Sequence, residues 1–368
     1  MKRALAFALL LALFLLQPCR ACADGMLERL EDTAELSSLT EGLTEEELRI
    51  LGSPDDVREE SGGALRRLLL RVKEQALAAL RQQFAFGARL VALVFFCALA
   101  DAMSTQQAAK SGIALAACAC AALWLAGDWD SGIAQATQTL QRLADYSRAA
   151  LPVLYTAAAA AGAVGSAPVK YAACSLAMEV MMTLSRDLIL PMIYAYLALS
   201  LTACLCDNPL LRGLQRLIRW AAVTAMSAVT TGFCLYAGLS GVAAGSADAL
   251  AVKAARSVLS AALPVVGGIL SDSAATLLSA AGVIRSTAGI FSLLAVLMLC
   301  AGPFVFLSVK MLLLRAVSTL AELLPGGLLS RFLGECATVF ALLLGLLGSH
   351  AVMLFFSLAA GMRAVSGP

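Results

Sequence analysis

From residue 84 onward the chain alternates long apolar blocks with short polar interruptions. The blocks run over 84–102, 111–127, 149–167, 171–185, 188–206, 220–239, 287–307, 309–324 and 336–360. A membrane helix needs about 20 predominantly apolar residues, and the blocks are of that order. The pattern predicts an all-α polytopic membrane bundle of seven to nine spans. Two blocks are weaker: 171–185 is short and contains Glu179, while 309–324 contains Lys310, Arg315 and Glu322, so each is expected as a span, a half-span or a surface helix.

Two stretches between blocks are amphipathic. Residues 128–148 carry Asp128, Asp130, Gln135, Gln138, Gln141, Arg142 and Asp145, and read as an interfacial helix outside the membrane. In 247–263, Lys253, Arg256, Ser257 and Ser260 fall at i, i+3, i+4 and i+7, with Val252, Ala255, Leu259 and Leu263 on another face. Pro264 ends that helix, because proline cannot continue the hydrogen-bond ladder. The following PVVGGILSD is too short to span and too apolar for an ordinary loop. It is expected as a re-entrant or interfacial hairpin covered by protein or water.

Composition agrees with this picture. Hydrophobic residues make up 60% of the 368 and charged residues 14%, with a mean hydropathy of +0.84; soluble domains average about 25% charged residues. A soluble enzyme is excluded. The net charge of +2, with no basic patch larger than Arg66, Arg67, Arg71 and Lys73, gives no surface for nucleic acid.

The N-terminal region divides in two. Lys2 and Arg3, an apolar run to Leu16 and the triplet Ala21-Cys22-Ala23 form a signal peptide over 1–23. Residues 24–60 then hold 13 of the 25 acidic side chains against three basic ones. This extracytoplasmic segment, part of a 24–83 unit, is expected as a solvated tether or as a docking arm for a partner. Within it, Thr44 and Glu47 have capping-box spacing for a short helix. The membrane domain occupies 84–368, with an amphipathic insert at 246–286. With the N-terminus outside, Lys110, Lys170 and Arg212, Arg216 and Arg219 are expected in inner loops, and Lys310 and Arg315 fit a later one.

Ionisable groups inside spans are costly and mark polar paths or structural pairs. Glu179 is a candidate for either, with Arg186 seven residues on. Arg186 and Asp187 read as a membrane boundary, and His350 as a neutral imidazole bonded within its helix. Thr224, Ser227 and Thr231 form a polar stripe that suits a conduit or interhelical hydrogen bonds. The cysteines lie mostly in apolar blocks and behave as small hydrophobes. With one histidine in the chain no metal site is expected, and no cofactor.

The stretch from Ser246 to Ile290, SADALAVKAARSVLSAALPVVGGILSDSAATLLSAAGVIRSTAGI, resembles the stage III sporulation protein AE family of polytopic membrane proteins from endospore-forming bacteria. The matching positions are Asp248, Lys253, Arg256, Pro264, Val265, Gly267, Ser271, Asp272, Arg285 and Gly289. Ser166-Ala167-Pro168, Leu190-Pro191, Pro303 and Leu324-Pro325-Gly326 are further landmarks. Arg285-Ser286 departs from the Lys-Asn usual there, and residues 24–60 have little counterpart. The resemblance implies a non-enzymatic component of the channel, or feeding tube, between mother cell and forespore, located in the outer forespore membrane. It implies as partners the other stage III sporulation A proteins, including a cytoplasmic ATPase and ring-forming proteins, and indirectly stage II sporulation protein Q. Asp248, Lys253, Arg256, Pro264, Gly267, Asp272, Arg285 and Glu179 are the candidate partner or conduit positions. The chain lacks a G-x-x-x-x-G-K-[ST] loop of its own. The competing expectation is a self-sufficient secondary transporter, with ion coupling at Glu179 or Asp187 and broken helices near Pro191 or Pro264.

Overall fold

The computed structural model of the protein describes residues 43–51, 61–160, 167–205, 209–241, 287–322 and 327–365. Regular structure among them is helical: α1 (Glu45–Leu51), α2 (Ser61–Met103), α3 (Gln107–Ala160), α4 (Ala167–Leu184), α5 (Leu190–Leu205), α6 (Pro209–Gly241), α7 (Thr287–Ala321) and α8 (Leu328–Val365). A five-residue π-helical step, Ser185–Ile189, makes α4 and α5 one continuous rod. Helices satisfy every backbone hydrogen bond within the segment, which a bilayer requires of whatever crosses it.

Six helical segments among the described residues are long and apolar enough to cross a membrane: Arg66–Met103, Ala108–Thr156, Ala167–Cys204, Pro209–Ala237, Phe291–Ala321 and Leu328–Gly361. The nine apolar blocks thus merge into six helices. Blocks 111–127 and 149–167 belong largely to α3, 171–185 and 188–206 to the α4–α5 rod, and 287–307 and 309–324 to α7. The amphipathic stretch 128–148 is the middle of α3, not a separate interfacial helix. Its apolar face, Ile133, Ala136, Leu140 and Leu143, is buried in the protein core rather than laid on a bilayer.

This continuity corrects the expected path of the chain. Lys110 sits in the first turn of α3, while Lys170 follows its far end, where Tyr155 packs on Tyr171 with ring centroids 5.9 Å apart. The 54 residues of α3 span about 80 Å at 1.5 Å per residue, so these two lysines mark opposite ends of the bundle instead of one face. Lys310 and Arg315 likewise sit within α7, not in a loop, and Arg212, Arg216 and Arg219 lie in the first three turns of α6.

The central element is α8. Its most apolar window is 94% buried, against 22% for α2 and for α3. Trp129 meets Phe332 edge-on at 6.5 Å near one end, and the Tyr155 hydroxyl donates to the Ser357 carbonyl at 3.2 Å near the other, so α3 and α8 run parallel. α7 is antiparallel to α8: the Ser318 hydroxyl donates to the Ser330 carbonyl at 2.8 Å, and Phe304 packs beside Gly348. Backbones approach closely where Gly132 of α3 faces Phe340, since a β-carbon there would stand 2.9 Å from the ring. The outer helices keep apolar surface exposed, notably Phe84, Phe95, Phe96 and Met103 on α2 and Leu123 on α3. Such surface suits lipid.

Candidate functional site

Polar contacts cross the helix interfaces at three levels. Lys310, 1% exposed in the middle of α7, places its ammonium 2.7 Å from the Asp128 carboxylate of α3 and 4.3 Å from the centroid of the Phe86 ring of α2. Three helices are tied at one point, by an ion pair with a cation–π contact. A second pair joins α3 to α4. Arg148 donates from Nη2 and Nε to Glu179 Oε1 at 2.9 and 3.1 Å, and its Nη1 lies 3.3 Å from Asp145. Both partners are more than half exposed, so Glu179 meets Arg148 at the protein surface.

The third level is His350, wholly buried in α8. Its Nδ1 lies 3.0 Å from the Leu346 carbonyl, one turn back. Its Nε2 lies 3.4 Å from the hydroxyl of Ser185, the first residue of the π step, and that hydroxyl donates to the Met181 carbonyl at 2.7 Å. Arg186 and Asp187 project from the same step and are exposed, within one continuous helix. Glu322 is exposed at the turn that ends α7. In α6, Ala222, Met226, Thr230, Phe233 and Ala237 form the buried face, while Thr224 is exposed and Ser227 and Thr231 are half-buried.

The short helix α1 docks on the bundle. Thr44 and Glu47 close the expected capping box, with the Thr44 N–H donating to Glu47 Oε2 at 2.9 Å. The same oxygen accepts from Arg142 Nη2 of α3 at 2.6 Å. Arg67 of α2 donates from Nε to the Ile50 carbonyl at 3.1 Å and from Nη2 to the Leu51 carbonyl at 3.4 Å, satisfying acceptors that a helix C-terminus leaves open. Leu43 and Leu51 are buried beneath. Burial alone would raise the Glu47 carboxyl, but the hydrogen bonds from Arg142 and Thr44 outweigh it, and the carboxyl titrates below its ordinary 4.5.

Of the candidate positions, Asp248, Lys253, Arg256, Pro264, Gly267, Asp272 and Arg285 lie outside the described residues, as do the signal peptide over 1–23 and the PVVGGILSD segment. Sequence reading passed over Asp128, Arg142, Arg148 and Arg67 as partners. Its available signal was that an acid and a base interrupt separate apolar blocks, which in a bundle is affordable when the two meet. Among the described residues no three His, Cys, Asp or Glu side chains converge as metal ligands would. The contacts seen hold helices in register, and what they form is a fixed polar framework.

The family model for stage III sporulation protein AE matches residues 56–364. A curated relative, stage III sporulation protein AE of Bacillus subtilis (strain 168), is 22% identical over 241 residues. The aligned part covers 65% of this chain and 60% of that relative. No solved structure matches.

Proposed function

Because the chain belongs to the stage III sporulation protein AE family, we propose that it is a non-enzymatic, multi-pass membrane component of the channel that links mother cell and forespore and supports late forespore development. It sits in the outer forespore membrane. The observation that carries this reading is a family match running nearly end to end over six long apolar helices. Its partners are the other proteins of the stage III sporulation A operon, among them a cytoplasmic ATPase and ring-forming proteins, with stage II sporulation protein Q reached across the intermembrane space. Contacts with the ring fall to the acidic segment around α1 and to the 246–286 insert, through Asp248, Lys253, Arg256, Pro264, Gly267, Asp272 and Arg285. Glu179, exposed on the bundle surface, is a further contact position.

The test is co-purification. The tagged chain is solubilised from sporulating cells in mild detergent, and its companions and particle mass are determined. A large particle containing the operon's ATPase and ring proteins is the expected result. A lone monomer or dimer that persists under crosslinking overturns the reading and brings forward the transporter, with Glu179→Gln as the first variant for ion-coupled uptake.

A further inference from the structure

Where α5, α6 and α8 meet they line a cavity of about 400 Å³, with Arg212, Arg216 and Arg219 of α6 and Arg331 and Glu335 of α8 on its wall. These ionisable side chains make it polar, and a cavity that polar and that large holds water. Cys204, the penultimate residue of α5, lines the same cavity. Its sulfur is hydrogen-bonded to the thiol of Cys118, which stands in the first quarter of α3. Cys118 is itself buried and does not line the cavity. One thiol thus borders water, the other is covered by protein, and the two meet across the α3–α5 interface.

The other thiols have different surroundings. Cys174 meets the Tyr155 hydroxyl at 3.1 Å, and Cys300 is enclosed by the apolar core. Cys120 is exposed, two residues beyond Cys118. Cys336 of α8 is wholly buried, within electrostatic range of both Cys118 and Cys204. Of the described cysteines, Cys204 is the one that borders the cavity. The charge of Arg331, on the same wall, acts on its sulfur. Reactive cysteines sit beside cations in partly open surroundings, whereas thiols shut into apolar surroundings are inert. The small-hydrophobe description that suits a cysteine in an apolar block therefore fits Cys300 and does not fit Cys204.

We propose that Cys118 and Cys204 are a peroxide-sensitive dithiol that closes into a disulfide between α3 and α5. Cys204 reacts first, because it borders the cavity. Its sulfur attacks one oxygen of hydrogen peroxide, the O–O bond breaks, and the departing hydroxyl leaves as water with the thiol proton. The product is a sulfenic acid on Cys204. The Cys118 sulfur then attacks that sulfur, the S–O bond breaks, and the hydroxyl leaves with the Cys118 proton as a second water. In sum the two thiols lose two electrons and two protons, and the peroxide is reduced to two waters. A thiol reductant reverses the bond by exchange. Because α3 meets α5 at far fewer points than it meets α4 or α8, the bond joins helices that packing holds only lightly. The site is independent of the channel reading, since it needs only this bundle and a peroxide.

The experiment uses the full chain purified in a neutral detergent, with hydrogen peroxide as the probe. After exposure the protein is denatured, its remaining thiols are alkylated, and its peptides are mapped by mass spectrometry. The expected product is one intramolecular disulfide, Cys118 to Cys204, which dithiothreitol removes. Cys118→Ser should lose the bond and leave on Cys204 a sulfenic acid that dimedone traps. Cys204→Ser should lose the bond and show no dimedone adduct at Cys118. Cys120→Ser should form the bond as the wild type does. If a serine variant fails to fold, the peptide map of the wild-type chain still decides. Recovery of both thiols in alkylated form after peroxide overturns the pair, as does a bond from Cys204 to Cys336 or to Cys206. A dimedone adduct at Cys118 in Cys204→Ser overturns the assignment of Cys204 as the sulfur that meets the peroxide.

Discussion

Lys310 interrupts the apolar run of α7, and its cost is offset by Asp128 and the Phe86 ring. Removing one partner of a buried pair strands the other, typically at about 3–5 kcal/mol. Asp128→Asn is therefore expected to destabilise the protein toward the low end of that range, because Asp128 retains 25% exposure. Replacing both, as Asp128→Asn with Lys310→Met, should recover most of the loss, and a double-mutant cycle of denaturant unfolding in detergent measures it. Gly132→Ala is expected to cost about 1–3 kcal/mol by overpacking, since the added carbon would press on the Phe340 ring inside the core. The same residues show what the sequence concealed. Asp128, Arg148 and Lys310 each depress local hydropathy, and each reads alone as a loop or a boundary. Their partners, Lys310, Glu179 and Asp128, lie 31 to 182 residues away. Only the fold reveals that the charges are matched and the helices continue.

Among elements, the step at Ser185–Ile189 carries the clearest consequence. The Leu190 N–H reaches back to the Ser185 carbonyl, so one extra residue is accommodated between α4 and α5. Deleting exposed Leu188 should convert the step to ordinary α-helix while both flanking faces stay in register, with Met178 and Met181 before it and Ile193 and Tyr196 after it still buried. Deleting Ala198 within α5 should instead rotate everything beyond it by about 100°, one residue of helix, and expose the buried face. Protease resistance of the two deletion proteins separates these outcomes. For α1, a carboxyl lowered on folding gives stability that is complete above its unfolded pKa and lost as pH falls through the folded value. Docking of α1 is thus expected to hold at neutral pH and to loosen below pH 4.5. Hydrogen exchange of residues 45–51, corrected for intrinsic rates, should show this loss, and Glu47→Gln should lack protection at neutral pH already. This element was legible beforehand through Thr44 and Glu47. Its docking was not, because Arg142 and Arg67 approach from other helices.

At the scale of the whole molecule, the all-helical membrane architecture was legible from apolar block lengths, but not which helix occupies the centre. Block 336–360 looks no different from its neighbours in hydropathy, yet α8 alone is 94% buried in its apolar window. Hydropathy reports only avoidance of water and does not distinguish lipid from protein as the refuge. The cavity was hidden for a related reason: Arg212, Arg216 and Arg219 read as a loop marker, and only the arrival of Arg331 from α8 turns them into a basin.

The enclosure of α8 has a consequence for how the protein is made. Leu328–Val365 leaves the ribosome after every helix that surrounds it, so the innermost piece is the last of the six to be born. The helices that pack on it, α3 to α7, reach the bilayer first and can bury its faces only once it arrives. A stop codon just ahead of Leu328 would then remove not a tail but the piece on which α3 to α7 close.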